Sequence, residues 1–389
     1  MLEQIIHGKI MLPGGRWMEG ACAFSEGKIC YVGDQPLAGA RTVFDARGGY
    51  LVPGFIDLHC HGGKSFDFMD AAPEEMEEIA RFHLCHGTTT LVATTMTDRW
   101  EAIYAALDRI GALLARGKGL TVKGVHLEGP WLSPAQCGAQ DTRKMALPNI
   151  AQLRSLVKKY PFIERISAAP ELPEGLALGQ AGKELGLVMS VAHTDADFDQ
   201  VEEAAQAGYS LMTHLYSGMK LTFRKNAYRT AGAVEAGLWD DRLSVELIAD
   251  GKHLPPALLK LACKAKGAEK ICLITDAVRG TGLPEGTRFR LGTKEDGVDA
   301  IIEDAVAKLP DRTSFAGSVA TMDRLLRVMH REAGVPLGDV CRMLSETPAK
   351  VMGYGDRGVI APGKRADLVV LDTDLRIQNV ILGGNLQCV

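Results

Sequence analysis

Residues 53–63 read Pro-Gly-Phe-Ile-Asp-Leu-His-Cys-His-Gly-Gly, a short apolar run that ends in two histidines separated by one residue. Side chains two positions apart in an extended strand leave the same face, so the imidazoles of His59 and His61 point the same way. Such a pair suits a metal ion, and the glycines that follow allow a sharp turn beside it. For an isolated His-x-His pair, the simpler interpretation is two histidines whose hydrogen bonds are satisfied within a loop. The residues downstream therefore decide between that interpretation and a metal site.

Strand-like runs and helical segments alternate through the middle of the chain. Eight apolar runs follow one another, at residues 53–63, 88–95, 122–130, 166–171, 187–193, 210–214, 243–250 and 270–276. Most intervening segments are amphipathic, and segment 199–208 ends in Gly208, which is typical of a helix C-terminus. Eight alternating β and α units predict a parallel (β/α)8 TIM-type barrel, in which active-site residues lie at the carboxyl ends of the strands.

The two ends of the chain have a different character. Residues 1–51 contain short strand-like pieces broken by glycine and proline, and residues 355–389 contain two more. Because neither end could bury a core alone, we expect one small β-sandwich domain built from both termini. This domain comprises residues 1–51 and 355–389, and the barrel domain comprises residues 52–354.

The composition narrows the class of protein. The 389 residues are 46% hydrophobic and 24% charged, with a formal net charge of −4, which is ordinary for a soluble globular protein and offers no basic patch for nucleic acid. The sequence has no apolar run long enough to span a bilayer and no signal-peptide pattern at its start. Nine cysteines without C-x-x-C pairs fit reduced thiols. We therefore expect a cytoplasmic protein with neither a nucleic-acid nor a membrane partner.

Metal-ligating or acid–base residues lie at the ends of five of the predicted strands. They are His59, His61, Glu128, His193, His214 and Asp276. Nitrogen and oxygen donors of this kind suit Zn²⁺ or Fe²⁺. A metal ion lowers the pKa of a bound water and polarises a carbonyl, so no nucleophilic serine or cysteine is required. We predict metal-assisted hydrolysis of an amide, ester or similar bond, with Asp276 taking the proton of the attacking water and returning it to the leaving group.

These motifs resemble the amidohydrolase superfamily and, within it, a group of deacetylases that act on phosphorylated amino sugars. The resemblance covers nearly the whole chain and is carried by Pro53-Gly54-Phe55-Ile56-Asp57, Gly87-Thr88-Thr89, His126-Leu127-Glu128-Gly129-Pro130, Thr213-His214-Leu215-Tyr216, Ile248-Ala249-Asp250-Gly251-Lys252-His253, Thr275-Asp276-Ala277 and Gly363-Lys364-Arg365-Ala366-Asp367. It implies a homodimeric enzyme that hydrolyses the acetamide of N-acetylglucosamine 6-phosphate to glucosamine 6-phosphate and acetate.

The resemblance also implies roles for individual residues. Glu128, His193 and His214 would hold the main metal ion, and Asp276 would be the general base and acid. His59 and His61 occupy the place where some members bind a second ion, so we expect one or two divalent ions. The implied substrate contacts are Ala139, Gln140, Ser217, Gly218, Arg229, His253, Phe315, Ala316 and Gly317. Among them, Arg229 would pair with the sugar phosphate, a role suited to a planar guanidinium.

Three positions depart from the pattern of that group. Gln140 stands where histidine is usual, Ser217-Gly218 where Asn-Ala is usual, and Arg279 in a loop that usually has small residues. We hypothesise that Arg279 touches an anionic part of the substrate. The departures keep other substrates open: another N-acyl amino sugar such as N-acetylgalactosamine 6-phosphate, or an unphosphorylated N-acyl compound. A non-catalytic scaffold is the alternative from a different class, and it predicts missing ligands.

Overall fold

The computed structural model of the chain describes residues 1–117 and 121–387. Residues 3–53 form five strands: β1 (Glu3–Leu12), β2 (Arg16–Ser25), β3 (Lys28–Gly33), β4 (Arg41–Asp45) and β5 (Tyr50–Pro53). The eight cysteines in the described ranges are free, and Cys388 lies outside them. No helix within these ranges has the length and apolar character needed to cross a membrane.

Strands and helices then alternate. The strands are β6 (Phe55–Cys60), β7 (Gly62–Gly63), β8 (Phe66–Asp67), β9 (Thr88–Thr95), β10 (Val122–Glu128), β11 (Ile163–Ala168), β12 (Val188–Val191), β13 (Tyr209–Met212), β14 (Phe223–Lys225), β15 (Tyr228–Thr230), β16 (Ser244–Ile248) and β17 (Ile271–Ile274). The helices are α1 (Pro73–Cys85), α2 (Trp100–Leu114), α3 (Ile150–Lys159), α4 (Gly175–Glu184), α5 (Phe198–Ala207), α6 (Ala233–Trp239) and α7 (Pro256–Lys266). Short 3₁₀ helices cover Pro134–Gln136, Thr142–Lys144 and Ala268–Lys270.

The last part of the chain begins with an antiparallel sheet that the sequence analysis did not predict. This sheet is β18 (Arg288–Leu291), β19 (Val298–Glu303) and β20 (Val306–Lys308). Three helices follow, α8 (Met322–Arg327), which continues into a π turn at Val328–Glu332, α9 (Leu337–Leu344) and α10 (Glu346–Val351). The chain then adds β21 (Leu368–Leu371), β22 (Ile377–Leu382) and β23 (Asn385–Gln387).

Eight strands form the predicted parallel barrel. Their order in the sheet is β6-β9-β10-β11-β12-β13-β16-β17, which follows their order along the chain. The barrel closes between its first and last strands, because Cys60 and Ala277 form a parallel bridge and the Asp276 amide donates to the His59 carbonyl at 2.9 Å. The predicted TIM-type barrel is confirmed.

Helix α5 shows how local chemistry sets the element boundaries. The Asp197 carboxylate accepts from the Gln200 backbone amide, while the Gln200 side chain accepts from the Asp197 backbone amide. Two backbone amides that the helix itself leaves without partners are therefore hydrogen-bonded. The helix ends at Gly208, whose φ of 116° favours glycine. The helix end predicted from Gly208 is therefore where the structure has it.

The termini form one separate sheet, as predicted. Its strand order is β23-β22-β21-β5-β1-β2-β3, with β4 paired to β1. The sheet turns back on itself, since Ile29 donates to the Lys364 carbonyl and accepts from the Gly363 amide, both at 2.8 Å. A core that includes Ile10, Phe24 and Leu368 fills the space between its two sides. The division into domains at 1–51, 52–354 and 355–389 stays our proposal, and β5 crosses the first of these boundaries.

A fully buried ion pair lies inside the barrel. Arg165 on β11 and Glu246 on β16 are both 0% exposed, and Nη2 of the arginine is 2.8 Å from Oε2 of the glutamate. The remaining guanidinium donors reach the Leu58 carbonyl, the Thr213 hydroxyl and the Ser190 hydroxyl at 3.0–3.1 Å. Burial alone raises the pKa of Glu246, but Arg165 and a nearby histidine bring it to about 2. The glutamate is therefore charged inside the core and depends on its arginine.

Replacing Arg165 with leucine should strand this carboxylate. We expect Arg165→Leu to lower the free energy of unfolding by about 3 to 5 kcal/mol, the range for breaking a buried pair from one side. Urea denaturation followed by circular dichroism measures the change. The control is Arg154→Leu, which removes an exposed pair with Glu184 and should change stability by less than about 1 kcal/mol. Equal losses in both variants would contradict the role of the buried pair.

Candidate metal centre and active site

The six residues predicted from the strand ends meet at one mouth of the barrel. Glu128 is the last residue of β10, His59 lies in β6, and His61 follows that strand directly. His193, His214 and Asp276 each lie two residues beyond the last residue of β12, β13 and β17. Parallel strands end at the same face of a barrel. This shared position brings the six side chains together.

The backbone turns sharply at three of these positions. The φ angles of His193, His214 and Asp276 are 41°, 29° and 49°, in the left-handed region that residues other than glycine rarely adopt. Each such conformation costs about 1 to 3 kcal/mol. Residues held in this way concentrate at functional sites, and here all three belong to the predicted constellation.

The Glu128 carboxylate lies at the centre of the histidines. Its Oε1 atom is 2.9 Å from Nε2 of His214, 3.4 Å from Nε2 of His193 and 3.6 Å from Nε2 of His59. Its Oε2 atom is 3.4 Å from Nε2 of His61. Two groups with metal-ligand spacing result, one of Glu128, His193 and His214 and one of His59, His61 and Glu128. They share the glutamate.

Asp276 contacts His59 and His61 as well. Its Oδ1 atom is 3.3 Å from Nε2 of His61 and 3.5 Å from Nε2 of His59. The aspartate side chain is 11% exposed, whereas that of His59 is fully buried. The carboxylate is therefore open to the cavity above the site while it remains in contact with the cluster.

The electrostatics of the cluster favour a positive charge at its centre. Burial would lower the pKa of His59 and of His61, yet Glu128 and Asp276 raise it to about 9 and about 10. Burial raises the pKa of Glu128, but His59 and the neighbouring imidazoles bring it well below its ordinary value. Burial also raises the pKa of Asp276, and His59 and His61 outweigh that effect and lower it. Two ionised carboxylates at the floor of a cavity attract a cation.

The surroundings of His193 fit the role of a metal ligand. Its Nδ1 atom donates to the Gln136 carbonyl at 2.8 Å, so the neutral ring presents an unprotonated Nε2 to the cluster. Gly218 packs closely on this ring, since a Cβ atom there would lie 2.6 Å from Nδ1 of His193. The Nδ1 atom of His59 lies 3.6 Å from Oε2 of the buried Glu246, which is longer than a hydrogen bond. Nitrogen and oxygen donors held in this way fit a divalent ion such as Zn²⁺ or Fe²⁺.

A third group with metal-ligand spacing is Asp57, Cys60 and His83. Its donors already have hydrogen-bond partners within the protein. Asp57 accepts from the amide and hydroxyl of Thr275, and Nε2 of His83 lies 3.0 Å from the Gly62 carbonyl. Burial also raises the pKa of the Cys60 thiol well above its ordinary value. These residues therefore support the strand, and Sγ of Cys60 lies 3.3 Å from Nε2 of His83.

A cavity of about 550 Å³ opens above the metal-ligand cluster. Predicted substrate contacts that line it are Ala139, Gln140, Ser217, Gly218, His253, Phe315 and Gly317. The sequence analysis did not single out eight other lining residues, Met96, Gly138, Val278, Leu291, Lys308, Arg312, Thr313 and Ser314. The ring of His253 packs on that of Phe315 with centroids 4.7 Å apart. One wall is thus aromatic and polar, and the floor is the cluster.

The structure does not bring Arg279 to this cavity, so the hypothesis of a substrate contact is corrected. Its side chain is 5% exposed and lies on both oxygens of Asp70, at 2.8 and 2.9 Å. It also donates to the carbonyls of Arg290 and Gly292. Arg279 therefore fastens the loop after β17 to the β18–β20 sheet. Arg279 follows β17 in the chain, but its partners come from distant segments.

Two further predicted contacts lie outside the cavity lining. Arg229 is exposed on the β14–β15 hairpin, where it lies opposite Arg224 in the antiparallel strand register. Ala316 is 0% exposed and lies behind the cavity wall. Neither residue lines the cavity above the metal-ligand cluster of its own chain.

Two buried charges were missed by the sequence analysis. Glu246 lies within the apolar run at 243–250, where a charged residue inside a buried parallel strand is itself a signal. Arg165 directly precedes the run at 166–171, and the same signal applies to it. Lys308 and Arg312 carry no such signal, because they come from the unpredicted sheet. Only the Pro310-Asp311 turn pattern marks that hairpin.

Gln140 contacts the cluster as well as the cavity. Its Oε1 atom accepts from the Thr97 amide at 3.1 Å, and its Nε2 atom donates to Oε2 of Glu128 at 2.9 Å. A backbone amide can only donate, so this contact fixes which way the side-chain amide faces. Gln140 therefore holds one oxygen of the central carboxylate in place.

Comparison with known proteins gives a consistent family. The model of the amidohydrolase family matches residues 50–387. N-acetylglucosamine-6-phosphate deacetylase of Lysinibacillus sphaericus is 33% identical over 368 residues, covering 93% of this chain and 92% of the relative. N-acetylgalactosamine-6-phosphate deacetylase of Escherichia coli O157:H7 is 32% identical over 389 residues, covering 99% of each.

A solved structure resembles the whole fold. It is a mutant N-acetyl-D-glucosamine-6-phosphate deacetylase of Mycobacterium smegmatis in complex with N-acetyl-D-glucosamine-6-phosphate. Its TM-score is 0.90 at 30% identity, and the match covers 99% of this chain and 98% of that one. The barrel and the terminal sheet are therefore shared together.

We expect Gln140→Leu to weaken metal binding by about 10- to 100-fold, the usual effect of removing a partner that orients a ligand. The reason is that Glu128 loses the donor that holds its Oε2 atom. Competition with a fluorescent chelator measures the dissociation constant. Gln136→Leu is the matched control, since Gln136 supports His193 through its main-chain carbonyl, which the substitution keeps. Unchanged affinity in Gln140→Leu would contradict the orienting role.

Proposed function

This chain belongs to the amidohydrolase family, and on that premise we propose that it hydrolyses the acetamide of N-acetylglucosamine 6-phosphate to glucosamine 6-phosphate and acetate. The observation that carries the proposal is the convergence of Glu128, His193, His214 and Asp276 at the floor of one cavity. Relatives of nearly the same length carry the name of this activity. The proposal therefore rests on both the site and the family.

We propose that Glu128, His193 and His214 hold the main divalent ion, Zn²⁺ or Fe²⁺. His59 and His61, which share Glu128 with that set, would hold a second. Such an ion supplies Lewis acidity at the amide carbonyl and lowers the pKa of a nearby water. The protein contributes the fixed donors, the buried surroundings and the orientation of each imidazole.

Asp276 is the proposed general base and acid. His59 and His61 lower the pKa of Asp276 against the effect of burial, so its side chain is an ionised carboxylate, the form that accepts a proton from the attacking water. As the carbon–nitrogen bond breaks, the same carboxyl returns that proton to the departing nitrogen. One water and one acetamide are consumed, and one acetate and one amine are formed. The 11% exposure of the side chain supports contact with a substrate in the cavity.

N-acetylgalactosamine 6-phosphate is the second candidate substrate. N-acetylgalactosamine-6-phosphate deacetylase of Escherichia coli O157:H7 matches 99% of this chain. The two sugars differ only in the configuration of one hydroxyl, so the side chains of the cavity wall decide between them. Gln140 and Ser217-Gly218, which depart from the usual pattern, lie in that wall. The scaffold alternative is not supported, because every predicted ligand is present at the cluster.

We propose that the protein acts as a homodimer in the cytoplasm. The β14–β15 region exposes apolar side chains, Leu221 at 52% and Tyr228 at 78%. A second copy would cover them. The free thiols support a reducing compartment. Sedimentation velocity tests the dimer, and a single species at the mass of one chain would contradict it.

The experiment that tests the function is acetate release by metal-replete protein. N-acetylglucosamine 6-phosphate, N-acetylgalactosamine 6-phosphate and unphosphorylated N-acetylglucosamine are compared by kcat/KM. The proposal expects the highest value for the first. A higher value for the galactosamine isomer would establish the second candidate, and no acetate from any of the three would contradict the proposal.

Asp276→Asn keeps the shape of the side chain and removes its basicity. We expect kcat to fall by about 10²- to 10⁴-fold, the usual contribution of a positioned acid–base group. Metal content, measured by mass spectrometry on the same samples, should stay the same. Asp299→Asn, on the exposed face of β19, is the control and should keep full activity. An Asp276→Asn variant with normal kcat would exclude the assigned role.

A further inference from the structure

Three buried apolar side chains line the cavity above the metal-ligand cluster. Met96 directly follows β9, Val278 lies shortly after β17, and Leu291 is the last residue of β18. Each is at most 8% exposed, and all three belong to one hydrophobic cluster. We call these three residues the apolar wall. An apolar surface inside a cavity with polar walls and a charged floor contributes to binding only where an apolar part of the ligand covers it.

The apolar wall begins beside the proposed general base. A Cβ atom added at Gly317 would lie 2.4 Å from Cγ1 of Val278 and 3.6 Å from Oδ1 of Asp276. The side chain of Val278 and the carboxylate of Asp276 therefore flank the same glycine. A general base has to lie within hydrogen-bond reach of the attacking water. The wall is thus next to the place where the reacting carbonyl group must lie.

Buried charges fix the backbone on both sides of Leu291. Nε of Arg279 donates to the Arg290 carbonyl at 3.0 Å, and Nη2 donates to the Gly292 carbonyl. From the other direction, Asp67 accepts from the Gly292 amide at 3.2 Å. Arg279 and Asp67 are both buried. Leu291 therefore cannot shift without breaking hydrogen bonds to buried charged groups, which is costly.

The same contacts join the three segments of the apolar wall. Arg279 directly follows Val278 in the chain, so its hydrogen bonds attach the segment after β17 to the end of β18. On the other side of Leu291, a Cβ atom added at Gly292 would lie 3.8 Å from Sδ of Met96. The wall therefore runs from the segment after β17, past the end of β18, to the residue that follows β9.

The proposed substrate has one apolar group next to its scissile bond. The carbonyl carbon of an acetamide carries an oxygen, a nitrogen and a methyl group. The nitrogen leads to a sugar whose hydroxyls need hydrogen-bond partners, and polar side chains in the rest of the cavity, such as Gln140, Ser217 and His253, offer them. The methyl group needs no such partner. It is the part of the substrate that matches the apolar wall.

We propose that the apolar wall receives the acyl group that the reaction removes, and that Arg279 is the positioning residue that sets the room for this group through Leu291. The inference rests on the proposed function and narrows its substrate class to amino sugars with short, apolar N-acyl groups. A longer acyl chain is hydrolysed with the same balance, since one water and one amide give one carboxylate and one amine.

The polarity of the wall is tested with glucosamine 6-phosphate that carries an N-acetyl, N-propionyl or N-glycolyl group. The propionyl and glycolyl groups are close in size, but the glycolyl group ends in a hydroxyl. We expect kcat/KM to be about 10- to 100-fold higher for the propionyl than for the glycolyl substrate, because the hydroxyl would lose its water without gaining a partner. Equal values would overturn the inference.

The room beside the wall is tested with Leu291→Ala and Leu291→Phe. Leu291→Ala should raise the ratio of kcat/KM for the propionyl substrate to that for the acetyl substrate by roughly 10-fold, the effect of fitting one methylene. Leu291→Phe should lower the same ratio. A ratio of two substrates does not depend on how much of a variant is folded. An unchanged ratio in both variants would overturn the inference.

The positioning role is tested with Arg279→Ala and Arg279→Lys. Arg279→Ala should raise the propionyl-to-acetyl ratio by up to about 10-fold, because the backbone around Leu291 is released. Arg279→Lys keeps a cation beside Asp70 and should show a smaller change. Loss of activity with an unchanged ratio would assign Arg279 to the fold alone and overturn its positioning role.

Arg290→Ala is the matched control for the arginine variants. Arg290 precedes Leu291, its guanidinium is held by Asp299, and the substitution keeps the carbonyl that Arg279 contacts. The propionyl-to-acetyl ratio should stay as in the unmodified protein. A shift as large as that of Arg279→Ala would also overturn the positioning role, because any damage to β18 would then be enough.

Failure of the proposed function has a separate signature. If the unmodified protein releases no carboxylate from any of these sugars, binding of acetate and propionate to the metal-replete protein still tests the wall. Ligand-observed NMR gives both dissociation constants. Leu291→Ala should favour propionate over acetate by about 4-fold more than the unmodified protein does, the gain for burying one methylene. Equal preferences would overturn the inference whatever the reaction proves to be.

Discussion

The carboxylate of Glu128 is buried at the mouth of the barrel, where burial alone would favour its neutral form. It stays ionised because the Nε2 atoms of His59, His193 and His214 lie within 3.6 Å of its Oε1 atom. Gln140 holds the second oxygen at 2.9 Å. A buried charge needs oppositely charged or hydrogen-bonding groups on several sides. At least three strand ends must therefore place such groups around Glu128.

Meeting that requirement puts strain on the backbone. His193, His214 and Asp276 all adopt positive φ at the same offset from their strands, and each conformation costs about 1 to 3 kcal/mol. Such strain persists only where the surroundings hold it. Here the barrel hydrogen bonds, the close approach of Gly218 to His193 and the buried Glu246 beside the cluster do so. The site is held by the fold rather than by its own contacts.

The sequence carried enough information for the barrel and for the six residues at its mouth, because strand ends in an alternating β/α pattern meet at one face. Glu128 and Asp276 could be found this way. The role of Glu246 could not, since it depends on Arg165, which lies three strands away in the barrel. Arg279 was expected to touch the substrate because it follows the last barrel strand, but a sequence does not say that Asp70 lies next to it. The β18–β20 sheet was missed because its short antiparallel strands lack the period of the barrel.

The proposed hydrolysis depends on a metal ion being held by the cluster at the barrel mouth. Anomalous X-ray diffraction from crystals of the metal-loaded protein, collected at the absorption edge of the ion, locates it directly. We expect a peak bounded by Glu128, His193 and His214, at about 2.0 to 2.3 Å from the donor atoms. Metal bound at stoichiometric level with its peak at any other position would contradict it.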